Sequence, residues 1–315
     1  MLDSDMLEKK NKRLFILFLA LLSATFTAYW LGRSEEHFSV NKMIFKDFDL
    51  NSINEISLES NKGSVVLKYN GSRWRVNDQY PADPAMIDVL FATLQQAEPK
   101  RPLAASMQDS VAASLRRNGV KVSMFSSDEV QKTFIAGGNE SKNQAFFLDS
   151  DGGEIYIVTI PGYRVYVSGI FELAETGWRD KFVFGFNWRN FQSLEVSFPR
   201  KPSDDFAVAM DNNYFSVQGL TQVDTTKLND FLDDVSLLTV EDYLEPNELL
   251  DSLAKVGPYV TILVKDIAQK EYSLQLYPPI DNSSRFMGLI NGSQWAIFQQ
   301  GRVAKLVRTR TFFEK

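Results

Sequence analysis

The 315-residue chain contains no cysteine and one histidine, His37. Without cysteine, disulfides, thiolate nucleophiles and thiolate metal sites cannot be built. His37 lies in a polar stretch a few residues beyond an apolar run, where a solvated linker residue is expected. Ser-His-Asp, Cys-His and zinc-hydrolase constellations are therefore excluded. Phosphate-loop and Rossmann spacings are also missing, since Gly137-Gly138 lacks the Lys-Ser/Thr that a phosphate loop requires.

Clustered positive charge is scarce. The net charge is −6, which disfavours nucleic acid as a partner. The locally basic run Arg302, Lys305, Arg308 and Arg310 alternates with apolar residues and reads as the wet face of a strand. Paired carboxylates are the one enzymatic option left. The candidates are Asp204-Asp205, Asp233-Asp234 and Asp149 with Asp151, each read as a solvated turn or helix surface. No metal, cofactor or catalytic residue is expected.

What the chain does have is an uncharged run of nineteen residues, Leu14–Gly32. At about 1.5 Å per helical residue such a run just crosses a hydrocarbon core of roughly 30 Å. Lys9, Lys10, Lys12 and Arg13 precede it and Glu35 and Glu36 follow. The positive-inside rule predicts a cytoplasmic N-terminus, with residues 33–315 outside. Retention as an anchor is favoured over cleavage as a signal peptide, because the run is long and Thr25 and Ala28 make a mediocre cleavage site. Ala20, Ala24 and Ala28 form a stripe of small residues that another membrane helix could approach closely.

Hydrophobic residues make up 44% of the chain, including 24 Phe, enough for a folded core outside the membrane. Alternating segments predict an antiparallel meander over residues 53–76. Asn70-Gly71 and Asn291-Gly292 read as hairpin turns with positive φ at both positions. Asp83-Pro84 starts a helix with an apolar stripe, a shorter helix covers Asp109–Arg117, and strands resume from Val120. After a short helix around Phe171–Glu175 the same order repeats at an offset of about 140 residues. Phe191–Phe198 answers the first strand, Asp224 caps the long helix, and Val303–Val307 is a closing strand. Sustained register over so many elements points to an internal duplication.

Between the halves lies Gly177–Phe191, in which Trp178-Arg179 and Trp188-Arg189 bracket Phe182, Phe184, Phe186 and Trp188. A period of two puts those rings on one face of an extended segment, predicted to pack between the copies. Exposed members would suit a partner surface. Trp178, Arg179, Phe184, Trp188 and Arg189, with Ala20, Ala24 and Ala28, are the candidate interface residues.

Trp178-Arg179-Asp180-Lys181-Phe182, running into Asn190-Phe191 and Leu194-Glu195-Val196, resembles the junction of the proteins grouped as domain of unknown function 4340. So do the Trp74-Arg75-Val76 strand, the Tyr80-Pro81-Ala82-Asp83 helix start and the single N-terminal anchor. The resemblance covers roughly residues 45–240. It implies a single-pass bacterial envelope protein beside gliding-motility-type ABC transporter components, and carries over no catalytic residues.

The expected fold is α+β: one N-terminal transmembrane helix, then two tandem, similar units of antiparallel sheet with a crossing helix. The expected divisions are a basic tail (1–13), membrane helix (14–32), linker (33–44), first unit (45–180), aromatic seam (181–190) and second unit (191–315). The expected role is a non-catalytic periplasmic accessory subunit of an inner-membrane complex, an ABC-type transporter or a secretion or motility assembly. The bilayer is contacted through residues 14–32, and no small-molecule ligand is expected. The competing role is an extracytoplasmic glycan- or peptide-binding module.

Overall fold

The computed structural model describes residues 2–32, 40–150, 153–186, 189–211, 214–279 and 285–315. His37, Asp151 and Trp188 lie outside the described residues. The fold is α+β, with an N-terminal apolar helix and two antiparallel sheets.

Helix α1 (Leu2–Gly32) is continuous through the basic stretch that precedes its apolar part. Over Lys12–Tyr29 its mean hydropathy is 1.4, and none of that surface is buried against the rest of the chain. Two hydroxyls in its apolar part are satisfied locally: those of Thr25 and Thr27 each donate to the carbonyl four residues back, at 2.8 Å. Such back-bonding lets threonine sit in an apolar medium.

The first sheet comprises β1 (Glu55–Ser60), β2 (Gly63–Tyr69), β3 (Trp74–Val76), β4 (Tyr80–Pro81), β5 (Glu98–Pro102), β6 (Val120–Ser126), β7 (Glu129–Gly138), β8 (Ala145–Asp149) and β9 (Ile155–Thr159). Their spatial order is β4-β3-β2-β1-β6-β7-β8-β9-β5. Helices α2 (Pro84–Gln96) and α3 (Ala105–Asn118) flank β5 in sequence. The chain thus leaves one edge by α2, forms the far edge as β5, and returns to the middle through α3. Helix α4 (Glu175–Trp178) closes the unit.

The second sheet comprises β10 (Phe191–Ser197), β11 (Phe206–Asp211), β12 (Tyr214–Val217), β13 (Asp242–Leu244), β14 (Val260–Asp266), β15 (Glu271–Leu276), β16 (Arg285–Ile290) and β17 (Gln294–Gln299). Helices α5 (Thr225–Ser236) and α6 (Glu248–Val256) flank β13 in sequence, and α7 (Gln300–Leu306) follows β17. The order β12-β11-β10-β14-β15-β16-β17-β13 matches that of the first sheet strand for strand, with no counterpart of β4.

The two long helices also agree in detail. Asp83 caps α2 by accepting the Ala85 N–H, and Asp224 caps α5 by accepting those of Thr226 and Lys227. Ile87, Leu90 and Leu94 are buried on α2; Leu228, Phe231 and Val235, at the same steps after the cap, are buried on α5. Helical spacing turns each set towards its own sheet. Each sheet has its own main core. One centres on Phe134, Phe147 and Phe171, the other on Phe231, Phe298 and Phe313.

Several expectations change. Val303–Val307 is not a strand: α7 occupies it, because Val303 and Leu306 are one helical turn apart and both bury their side chains. The basic run is accordingly no strand face. Lys305 pairs with Asp234 at 2.9 Å, Arg302 donates to Thr239 Oγ1 at 2.8 Å, and Arg308 stacks on Phe312. The helix expected around Phe171–Glu175 begins instead at Glu175, after a 3-10 turn over Val167–Ile170. Residues 33–44 are not all linker, since Val40 and Ile44 already pack on the first core. Asn291 and Gly292 both have positive φ, but at Asn70-Gly71 only the glycine does. There Asn70 Oδ1 accepts the backbone N–H groups of Ser72 and Arg73, closing the turn with its side chain.

The aromatic alternation does not form one face between the units. Phe182 is half exposed, whereas Val183, Phe184 and Phe186 are all buried in the second core. The segment makes an isolated bridge, Phe182↔Thr239, rather than a regular strand. A period of two therefore does not govern which side chains are buried.

Candidate functional site

The junction is built around Trp178-Arg179. Trp178 is fully buried in the first core. The backbone from there pairs first with one unit and then with the other. Asp83 N–H donates to Trp178 O and Asp180 N–H to Pro81 O, while Val240 N–H donates to Lys181 O and Val183 N–H to Leu238 O. Six residues, 178–183, thus splice an edge of the first unit to the α5–β13 connection of the second.

Arg179 occupies the centre. Its guanidinium carbon lies 3.6 Å from the ring centroid of Tyr80 and 3.8 Å from that of Tyr243, a cation held between two π faces from different units. Nη2 donates to Gln294 Oε1 at 2.6 Å and Nη1 lies 3.8 Å from Glu175 Oε1. Asn77 in turn donates to the other Glu175 oxygen at 2.7 Å. Tyr243 OH donates to Asp180 O at 2.6 Å. Burial pushes the Tyr243 phenol up to about 12, with Arg179 opposing and Asp180 adding to the shift. It is a neutral donor at physiological pH. Burial also raises the Asp180 carboxyl above its usual range, against the hydrogen bond it accepts from Phe182 N–H.

This arrangement accounts for the buried interface candidates. Trp178, Arg179 and Phe184 are used up within the chain, so they present no surface to a partner. Arg189 is exposed just before β10. Ala20, Ala24 and Ala28 lie exposed along α1, remote in sequence from the junction.

Four of the candidate carboxylates make structural contacts, and Asp233 is exposed on α5. Asp149, buried on β8, pairs with Lys132 at 2.8 Å. Asp205 accepts the Phe198 N–H, Asp204 pairs with Lys201, and Asp234 with Lys305. Among the described residues no three His, Asp or Glu side chains converge as a metal site.

A hollow of about 480 Å³ opens between α2 and the chain that leaves β9. Its walls are apolar: Met86 and Val89 from α2 face Ile160, Tyr163, Val165 and Leu173. Thr93 and Gln96 are its polar side chains on α2.

The family model for a Domain of unknown function (DUF4340) matches residues 74–255, more than half of the chain. The chain belongs to that family. No curated protein matches it. The DUF4340 match begins at Trp74 on β3 and ends at Lys255 in α6. It therefore runs further into the second unit than the resemblance at the junction had suggested. Tyr80, Arg179 and Tyr243 all lie inside the matched stretch, so the sandwich belongs to the DUF4340 region; Gln294 lies outside it.

Sequence reasoning missed Tyr80, Tyr243 and Gln294 as partners of Arg179, and missed the α2 hollow altogether. The Trp-Arg pair was the only local sign of the junction. Nothing in spacing reveals which rings, dozens of residues away, receive the guanidinium.

Proposed function

We propose that this DUF4340 protein is a membrane-anchored, non-catalytic accessory subunit of an envelope complex. The observation that carries the reading is α1: over Lys12–Tyr29 it is apolar, and none of it is buried in its own protein. At about 25 cal/mol per Å² of apolar surface, leaving such a helix in water is strongly unfavourable. A bilayer supplies the missing environment. Lys9, Lys10, Lys12 and Arg13 orient the N-terminus towards the cytoplasm, with the two sheets in the periplasm of a bacterial inner membrane.

The partner in this reading is a polytopic inner-membrane protein, an ABC-type transporter of the gliding-motility-associated kind or a secretion or motility assembly. Two features support an interaction role. Asp149, Asp205 and Asp234 are engaged in structural bonds, and the junction ties two units into one body suited to span between partners. The reading includes an internal duplication, supported by the shared strand order and the matching Asp-capped helices. The α2 hollow is largely apolar, which disfavours the glycan-binding alternative.

The test is extraction of the full chain in mild detergent, followed by affinity capture and mass spectrometry. Recovery of a stoichiometric polytopic membrane protein is the expected result. Release of the chain from membranes by alkaline carbonate would overturn the anchor, and capture of the chain alone would overturn the accessory role.

A further inference from the structure

The end of the first unit beside Lys42 and Lys46 carries several large exposed apolar side chains. Eight Cα steps separate Gly32, the last residue of α1, from Val40, which already packs on the first core. At roughly 3.3–3.6 Å per residue, they reach no further than about 29 Å. The chain then runs across the C-terminal end of α2. Lys46 Nζ donates to Gln95 O at 3.0 Å, and Lys42 and Lys46 pair with Glu98 at 3.1 and 3.6 Å. Glu98 is the first residue of β5 and is registered with Thr159, the last of β9. Ile160 and the loop to Val165 follow directly. Anchor tether, α2 terminus and this loop therefore share one end of the sheet.

That end carries the apolar hollow beside α2, and large side chains stand out around it. Tyr163 is 66% exposed, Val165 52% and Val89 48%. Met43 is 48% exposed in a second hollow, which shares Ala92 of α2 with the first. Arg164 is exposed between Tyr163 and Val165, and Lys42 is exposed beside the tether. Tyrosine, arginine and lysine have apolar bodies and polar tips, the side chains that settle at a lipid headgroup layer. Aliphatic neighbours insert just below them.

We infer that this end of the first unit rests on the bilayer that α1 crosses, with Tyr163, Val165 and Val89 in the phospholipid interface. The inference builds on the anchor reading and goes further. It fixes which face of the first unit is spent on lipid, leaving the opposite end of the sheet free.

The cysteine-free sequence allows single-site nitroxide labelling without background. The full chain is reconstituted into nanodiscs of phosphatidylethanolamine and phosphatidylglycerol, with labels at Leu22→Cys in α1, Tyr163→Cys, Val165→Cys and Val130→Cys. Val130 is exposed near the start of β7, away from Gly138, through which that strand joins Ala145 and Val158. Accessibility to lipid-soluble oxygen is compared with accessibility to a water-soluble nickel chelate. At Leu22, 163 and 165 the oxygen-to-nickel ratio should exceed that at 130 several-fold. Ratios at 163 and 165 equal to that at 130, with Leu22 lipid-exposed, overturn this inference and leave the anchor standing. A water-exposed Leu22 overturns the anchor reading itself. Protection of 163 and 165 from both reagents overturns the inference in favour of a protein covering the hollow.

Discussion

The guanidinium of Arg179 lies 3.8 Å above the ring of Tyr243, joining the last helix of the first unit to an edge strand of the second. Tyr80 covers the opposite face at 3.6 Å. Arg179 thus adds a side-chain clamp to the backbone hydrogen bonds that join the two units, whose main cores are separate.

Removing that side chain should loosen the junction before it unfolds either unit. Each desolvated cation–π contact is worth about 1–2 kcal/mol, so Arg179→Ala is expected to cost about 2–4 kcal/mol in denaturant unfolding. Arg179→Lys should recover only part of this, because an ammonium cannot lie flat between two rings. Limited proteolysis should cut the Arg179→Ala protein between residues 183 and 190 faster than the parent. Equal cutting rates would dismiss the clamp.

Trp178 separates ring packing from hydrogen bonding. Its indole fills the first core, yet Nε1 is buried with no partner among the described residues. Trp178→Ala should cost about 3–5 kcal/mol through the cavity it leaves. Trp178→Phe keeps a ring and removes an unpaired N–H, so its cost should be less than half as large. Thermal unfolding of both variants checks this; equal losses would mean the N–H has a partner.

Asp180 makes a pH prediction. Its folded pKa is raised, mainly by burial with a smaller contribution from Asp83, so the ionised carboxylate opposes folding. Below the ordinary carboxylate pKa of about 3.9 both states are protonated and there is no penalty. The penalty is complete above the folded pKa. Asp180→Asn should therefore stabilise the protein at pH 7 and make no difference near pH 3. A gain of the same size at both pH values would refute the assignment.

Asp224 behaves in the opposite sense. Hydrogen bonds from the N–H of Lys227, and then Thr226, hold its carboxyl below the usual range. Its stabilisation is present above about pH 4 and is lost as the pH falls through the lowered folded value. Asp224→Asn should flatten the acid limb of the stability curve. At the matching cap, Asp83→Ala should cost about 1 kcal/mol. Urea titrations of the Asp224→Asn protein at pH 3 and 6 check the first of these, and an unchanged acid limb would refute it.

Much of the fold could be read from local pattern. The Asp83-Pro84 start of α2, its heptad-like stripe, and the recurrence of both after Asp224 are signals carried within single turns. The candidate site was far less legible. Phe182, Phe184 and Phe186 alternate in sequence, yet Phe184 and Phe186 are buried while Phe182 is not, because no neighbouring strand holds that segment in a regular pleat. Val303–Val307 could be read with either period; packing of Val303 and Leu306 decided for a helix.

The sequence by itself determined the uncharged stretch that forms most of α1, the lack of thiol chemistry, and the Asp-capped helix that follows the opening strands in each half. Those properties depend on composition and on neighbours along the chain. Only the tertiary structure decided that Arg179 meets Tyr80 and Tyr243, and that Lys42 and Lys46 meet Glu98 at the end of the first unit where Tyr163 and Val165 stand exposed. Contacts between residues far apart in sequence follow from how whole elements stack, and no local periodicity encodes that.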